Sequence, residues 1–233
     1  MMVDSSATTA VPLRSASSTS GETTKRSLSS PATVMTPTLP GEQNRGVEPS
    51  AGVDGSGSGL RLLDGRSVRI RPMSTLDADA LRRFHEGLSD RTVYLRFFSP
   101  HPHLSDSEVA QFTDVDHVSR EALVALCDND IVGVARFDAL PTARNEAEVA
   151  FVVTDACQGQ GVGRRLLVEL IEAACALGIT TLVAEVLPAN GRMMDLLIRA
   201  GRPVVKEHGD GVVVLRLLLG SDDEAGSRSV RPS

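Results

Sequence analysis

Across residues 60–219 the apolar positions follow two periods, and the changes from one to the other mark out strands and helices. The longest such stretch is 146–177, EAEVAFVVTDACQGQGVGRRLLVELIEAACAL. Glu148-Val149-Ala150-Phe151-Val152-Val153 is short, β-branched and mostly apolar, which predicts a strand buried on at least one face. Beyond Gly161, the residues Leu166, Leu167, Leu170, Ile171, Ala174 and Cys175 recur three and four apart, so a long helix is expected, stopped at Gly178. Upstream, SVRIR alternates over 67–71 and meets Pro72, a first strand leaving its sheet. Ser74 or Thr75 caps a helix over 76–85 that Gly87 closes. In DRTVYLRFF, Val93, Tyr94, Phe97 and Phe98 stand at helical spacing, and Ser105-Asp106-Ser107-Glu108 opens a short helix through Phe112. Apolar runs at 121–127 and 131–137 flank Asp128-Asn129-Asp130, a hairpin turn. A strand at 181–186 follows the long helix. Asn190 then caps a last helix that ends at Gly201, and strands at 204–207 and 211–218 meet around His208-Gly209-Asp210-Gly211. The order β-α-α-β-β-β-α-β-α-β-β describes an α/β domain with a mixed, mostly antiparallel sheet flanked by helices and one parallel step across the long helix.

Residues 1–59 have neither period. They are rich in Ser, Thr, Pro and Gly with isolated apolar residues, too few to offset the entropy of ordering, and a disordered arm is expected there. Residues 60–219 have the size of one ordinary domain, and 220–233 read as a loose polar tail. The net charge of −6 argues against a nucleic-acid partner, which would demand a basic face. No stretch reaches the roughly 18 apolar residues of a membrane span, and no apolar core of a signal peptide opens the chain. Cys127, Cys157 and Cys175 have no spacing of a disulfide framework or a metal knuckle, which fits a reducing compartment and a cytoplasmic protein. An organelle transit peptide is the competing reading of the Ser-rich start, set against Asp4 and Glu22 within it.

Chemistry concentrates between the strand and the long helix. In Gln158-Gly159-Gln160-Gly161-Val162-Gly163-Arg164-Arg165, alternate glycines let backbone N–H groups approach a bound group, and the free N–H groups and dipole of the helix start favour an anion. This is a candidate phosphate cradle. A dinucleotide fold would use such a cradle, with Glu185 as its ribose-binding acid, but Arg164 stands where its third glycine belongs and hairpins replace the repeated βαβ units. The aromatics of 94–98 either pack a core wall or line a substrate channel. His101-Pro102-His103 reads as an exposed loop more than a metal site, and no metal is expected. Asp114, Asp116 and His117 are candidates to border an acceptor site. Cys157 is either a small loop residue or a nucleophile for a two-step transfer.

The glycine turn fits the Q/R-x-x-G-x-G/A pattern of the GCN5-related N-acetyltransferase superfamily, whose fold has this order of elements. Within it, LRRFHEGLSDRTVYLRFFSPHPHLS and AEVAFVV resemble the acetyltransferase domain of bacterial Pat-type protein lysine acetyltransferases, over roughly 67–218. The resemblance implies acetyl-CoA as cosubstrate and a lysine side chain of cytoplasmic proteins, acyl-CoA synthetases among them, as acceptor. It implies that backbone N–H groups of Gln158, Gly159, Gln160, Gly161, Val162, Gly163 and Arg164 hold the pyrophosphate. Phe151, Val152 and Val153 would pair with the pantetheine arm as an added strand, and Asn190 would bond that arm. Glu148 matches the general base, with Glu146 its substitute; both also read as solvated edge charges. A strand N–H of Val149 or a neighbour would stabilise the oxyanion. Leu197 occupies the place where many members carry a tyrosine acid, so the leaving thiolate would take its proton from water or leave unprotonated. No regulatory or ligase-like domain is expected beside the catalytic one. Two alternatives stay open: acetylation of a small amine or a protein amino terminus, and a non-catalytic acyl-CoA-sensing module.

Overall fold

The computed structural model describes residues 33–35, 60–143 and 145–220. The expected arm and tail lie outside them, apart from Thr33–Met35 and Gly220. Among the described residues nine strands make one sheet: β1 (Thr33–Met35), β2 (Leu60–Arg61), β3 (Ser67–Pro72), β4 (Arg120–Cys127), β5 (Asp130–Ala139), β6 (Glu146–Val153), β7 (Thr181–Val186), β8 (Val204–His208) and β9 (Val213–Leu218). Their order across the sheet is β1-β8-β9-β7-β6-β5-β4-β3-β2. Every neighbouring pair is antiparallel except β6 and β7. The helices are α1 (Ala78–Glu86), α2 (Asp90–Phe97), α3 (Asp106–Thr113), α4 (Val162–Ala176) and α5 (Gly191–Ile198). Three helices thus stand between β3 and β4, one more than the expected order contains. Gly87 ends α1, and the Ser89 hydroxyl accepts the Thr92 N–H to start α2 as a separate helix. The mostly antiparallel sheet with a single parallel pair leaves no place for the repeated parallel units of a dinucleotide fold.

Local chemistry accounts for several of these elements. Cys127 pairs with Asp130, so the β4–β5 loop is Asp128-Asn129, and both residues have positive φ, 51° and 69°. Asp and Asn tolerate that left-handed pair, which is the turn that matches strand twist. Ser105 and Glu108 reciprocally cap α3, with Ser105 N–H to Glu108 Oε2 at 2.8 Å. On α4, Leu166, Leu167, Leu170 and Ala174 are all at most 1 % exposed and face the sheet side that carries Ala135, Phe137, Ala147 and Val149. Leu197 of α5 joins the same core. On the opposite side Leu81 and Phe84 of α1 pack with Met73, Val124 and Val134 in a second core.

One polar network joins α2 to the turn after β6. The Asp155 carboxylate accepts the Ser89 N–H (3.0 Å), the Ser89 hydroxyl (2.8 Å) and the Thr92 hydroxyl (2.8 Å). Gln158 continues it: its Nε2 donates to the Val153 carbonyl (3.0 Å) and to Thr92 Oγ1 (3.3 Å), and its Oε1 accepts from Arg192 of α5 (2.5 Å). Burial alone would raise the Asp155 carboxyl, but the Ser89 N–H, the Ser89 hydroxyl and the Thr92 hydroxyl outweigh it and hold it below the ordinary carboxylate range.

Two measurements check this account of the fold. Leu170→Ala, at a position 0 % exposed, is expected to cost about 2–5 kcal/mol in denaturant unfolding. Asp155→Ala is expected to cost about 1–2 kcal/mol at neutral pH, the exposed carboxylate being discounted for solvent screening. Because the folded carboxyl titrates lower than the unfolded one, that difference is present at neutral pH and is expected to shrink as pH falls below about 4. A difference that stayed constant down to strong acid would refute the role of the ionised carboxylate.

Candidate active site

The site begins where β6 and β7 part. Their parallel register runs Glu146↔Thr181, Ala147↔Leu182 and Glu148↔Val183, and ends there. β6 goes on to Val153 paired with β5, so its other edge over 149–153 meets no strand among the described residues. Alternate N–H and C=O groups of a strand point to each edge, and those on this side have no strand partner, the Val153 carbonyl alone being taken up by Gln158 Nε2. Past Val153 the chain turns through 154–161 into α4. Gly159 (φ 76°) and Gly161 (φ 89°) occupy left-handed positions that a side chain would strain. The first intrahelical acceptor is the Gly161 carbonyl, bonded by Arg165 N–H at 3.0 Å, so the N–H groups of Val162, Gly163 and Arg164 have no carbonyl four residues back. The turn is braced from outside: Gln160 Oε1 accepts the Leu63 N–H (3.0 Å) and its Nε2 donates to the Ala156 carbonyl (2.8 Å).

Beside this parting lies a slot between the end of α2, β6, β7 and the start of α5. Phe97, Phe98, Glu148, Phe151, Glu185 and Asn190 line it. Phe98 closes α2 in a left-handed conformation (φ 61°), unusual for a bulky side chain. Of the four aromatic-run positions, Val93 enters the buried core, Tyr94 is about half exposed, and Phe97 and Phe98 wall the slot. Glu148 is half-buried, and burial first, then the Glu185 charge, raise its carboxyl above the ordinary glutamate value; the nearby Arg96 opposes them. Arg96 also lines the slot. Burial and the like charge of Arg136 bring its guanidinium down to about 10, which leaves it charged at neutral pH.

The two candidate bases differ in surroundings. Glu146 shares the strand face of Glu148 but gives its carboxylate to Arg216 Nη1 at 2.6 Å, and it does not line the slot. Phe151 lines the slot, whereas Val152 faces a second, more apolar cavity under α1 and α3, and the Val153 carbonyl is engaged by Gln158. Asn190 caps α5 through Oδ1, which accepts the Met193 N–H at 3.2 Å. Leu197 is 1 % exposed in the core between α5 and the sheet. Asp116 Oδ1 accepts the Val118, Ser119 and Arg120 N–H groups and its Oδ2 the Ser119 hydroxyl, His117 pairs with Glu121, and neither lines the slot. Cys157 is 3 % exposed in the main core. His101 stacks on Phe97 with ring centroids 4.4 Å apart and lies 3.0 Å from Glu108. Among the described residues no group of three His, Cys, Asp or Glu side chains is placed to hold a metal ion.

Sequence reasoning missed Arg96, Arg192 and the place of Glu185 in the slot. Glu185 was legible only as an acid after a strand; its slot position follows from Val183 pairing with Glu148, which puts Glu185 on the same face two residues on. Arg192 is the second residue of α5, and its contact with Gln158 spans 34 positions that no local pattern links.

Known proteins share this architecture. The profile of the acetyltransferase (GNAT) family matches residues 87–201. An acetyltransferase of Pseudomonas aeruginosa is 30 % identical over 172 residues, covering 72 % of this chain and 92 % of that protein. The GNAT domain of S. lividans PAT is 37 % identical, with a TM-score of 0.65 over 70 % of this chain and 96 % of that one. A GNAT-family acetyltransferase from Streptococcus pneumoniae shares the fold at 23 % identity and a TM-score of 0.54, over 66 % of this chain and 99 % of that one. The chain therefore belongs to the acetyltransferase (GNAT) family and is an N-acetyltransferase that works with acetyl-CoA.

Proposed function

We propose that the protein transfers acetyl to the side-chain amine of lysine in cytoplasmic proteins, with Glu148 as general base, acyl-CoA synthetases being a substrate class the Pat-type resemblance suggests. The carrying observation is the position of Glu148: a half-buried carboxylate with a raised pKa, at the point where β6 and β7 part, facing a slot that also holds Glu185. Two acidic groups there favour a cationic acceptor, and a lysine ammonium is one. Likeness to the GNAT domain of S. lividans PAT supports the same reading.

Bound acetyl-CoA supplies an activated acetyl thioester. The N–H groups of the Gln158 to Arg164 turn hold its pyrophosphate, with the exposed Arg164 beside them and Arg192 fixed nearby by Gln158. The open edge of β6, at Phe151 and the N–H side of Val153, pairs with the amides of the pantetheine arm, while Val152 turns its backbone groups to β5. Asn190 has committed its oxygen to the helix cap and offers that arm its amide N–H groups. Phe97 and Phe98 shield the reacting end from water. Glu148 takes the proton of the lysine ammonium, directly or through water. Removing that proton at pH 7 from a group of pKa about 10.4 costs about 4.6 kcal/mol, which a neighbouring base offsets. A β6 N–H at Val149 or a neighbour stabilises charge on the carbonyl oxygen. With Leu197 in the core, α5 presents no hydroxyl for the leaving thiolate, which departs as such or takes a proton from water.

Glu148→Gln is expected to lower kcat/KM for a lysine protein substrate by about 10²–10⁴. Its thermal midpoint at pH 7 is expected to stay or rise. A carboxyl raised by folding costs stability once pH exceeds the folded value, and glutamine removes that cost. For the wild type, kcat/KM should rise with pH along a limb lying above the ordinary glutamate value of about 4.3, and the limb should be absent in Glu148→Gln. Turnover unchanged by the substitution sinks the base assignment. Tight acetyl-CoA binding with no transfer to any protein lysine or small amine would favour a sensing module.

A further inference from the structure

Arg96, Phe97 and Ala150 line both the slot and the second cavity, which lies beneath α1 and α3 on the same sheet face. Beyond this shared wall the cavity is mostly apolar, with Phe84, Leu104, Phe112 and Val152, and its polar groups are the guanidinium of Arg136 and the His85 ring, which is bonded to the His101 carbonyl at 2.7 Å. Arg136 is 4 % exposed, bonds Asp138 at 3.0 and 2.9 Å, and lies over the Phe112 ring. Asp138 also accepts from Arg120 at 3.0 Å, so this one carboxylate already serves two guanidiniums. Arg96 is different. Among the described residues no hydrogen bond or salt bridge reaches it, and its ring contact is Phe97, 5.0 Å away. Its guanidinium is part-exposed and meets the Glu148 and Asp138 carboxylates only as neighbouring charges, so its fork of donors is open to the carboxylate of a ligand.

Resting on the reading of the slot as the acyl-CoA site, we propose that the second cavity is an acyl pocket for chains longer than acetyl, and that Arg96 selects those ending in a carboxylate. The ligand class is the coenzyme A monothioester of a short dicarboxylic acid. Ala150, the smallest residue common to both linings, is the point at which the chain would pass from slot to pocket; its methylenes would lie along Phe97 and Val152, and the distal carboxylate would meet Arg96. In the transfer, the acceptor nitrogen bonds to the acyl carbonyl carbon and the carbon–sulfur bond breaks. Coenzyme A leaves as thiolate with the electron pair, the amine proton passes to Glu148, and the distal carboxylate is unchanged.

The test is calorimetric binding of acetyl-, butyryl- and succinyl-CoA to the full-length protein. Succinyl-CoA is expected to bind about tenfold more tightly than butyryl-CoA, which has the same chain length without the charge. Arg96→Gln should reduce the succinyl-to-acetyl ratio of association constants about tenfold and leave the butyryl-to-acetyl ratio within about twofold. Arg96→Lys should recover part of the succinyl ratio. Ala150→Leu should lower both longer-chain ratios together. Wild type that binds acetyl-CoA but prefers butyryl- to succinyl-CoA overturns the proposal even if no variant folds, as does a succinyl ratio that Arg96→Gln does not change. Failure of all three thioesters to bind wild type instead overturns the slot itself, and the pocket with it.

Discussion

The arrangement depends on two parallel strands that stay together for only three residue pairs. Once Glu148 and Val183 have paired, β6 and β7 separate, and an edge of β6 in the middle of a large sheet is left with backbone groups that need partners. An antiparallel pair could be joined by a tight turn. A parallel pair demands a crossover, and here the crossover is α4. The helix therefore has to start at the end of β6 where the edge opens, so its unsatisfied N–H groups and the open edge fall side by side. One topological requirement thus yields both an open strand edge and a turn whose free N–H groups suit an anion.

What surrounds the opening tunes it. Asp155 and Gln158 tie α2, the glycine turn and α5 together, so the aromatic end of α2 cannot drift from the strands it covers. Glu146 and Glu148 occupy the same face of the same strand two residues apart, yet Arg216 neutralises the first, while the second sits among aromatic rings with Glu185 near it. Chemistry at neutral pH wants the second kind of carboxylate, one whose charged form is costly and whose proton affinity is raised toward that of its task.

Much of this was legible from sequence where local physics decides structure. Asp128-Asn129 reads as a hairpin because few other residues accept two left-handed positions, and the Ser105–Glu108 box and the Asn190 cap read as helix starts because their side chains bond their own backbone. The α4 stripe is visible because its period is that of the helix. Register is another matter. Strand alternation says which residues share a face but not where a pairing ends, so the parting after Glu148 leaves no mark in the pattern. The separate α2 was obscured because its capping serine follows Gly87 so closely that one broken helix and two helices read alike. Contacts such as Arg192 with Gln158 join distant residues that only the fold brings near.

Charge in the slot is divided in space. Glu148 and Glu185 lie toward β7 and the open edge, whereas Arg96 lies against the second cavity with Arg136 behind it. On the proposed reading, a cationic amine and an anionic tail would find opposite sides of one opening. The same division acts on Glu148. Arg96 holds Glu148 lower than burial and Glu185 would otherwise set it, and an anion meeting Arg96 weakens that hold. On the proposed reading, occupancy of the pocket and the proton affinity of Glu148 are coupled through this guanidinium.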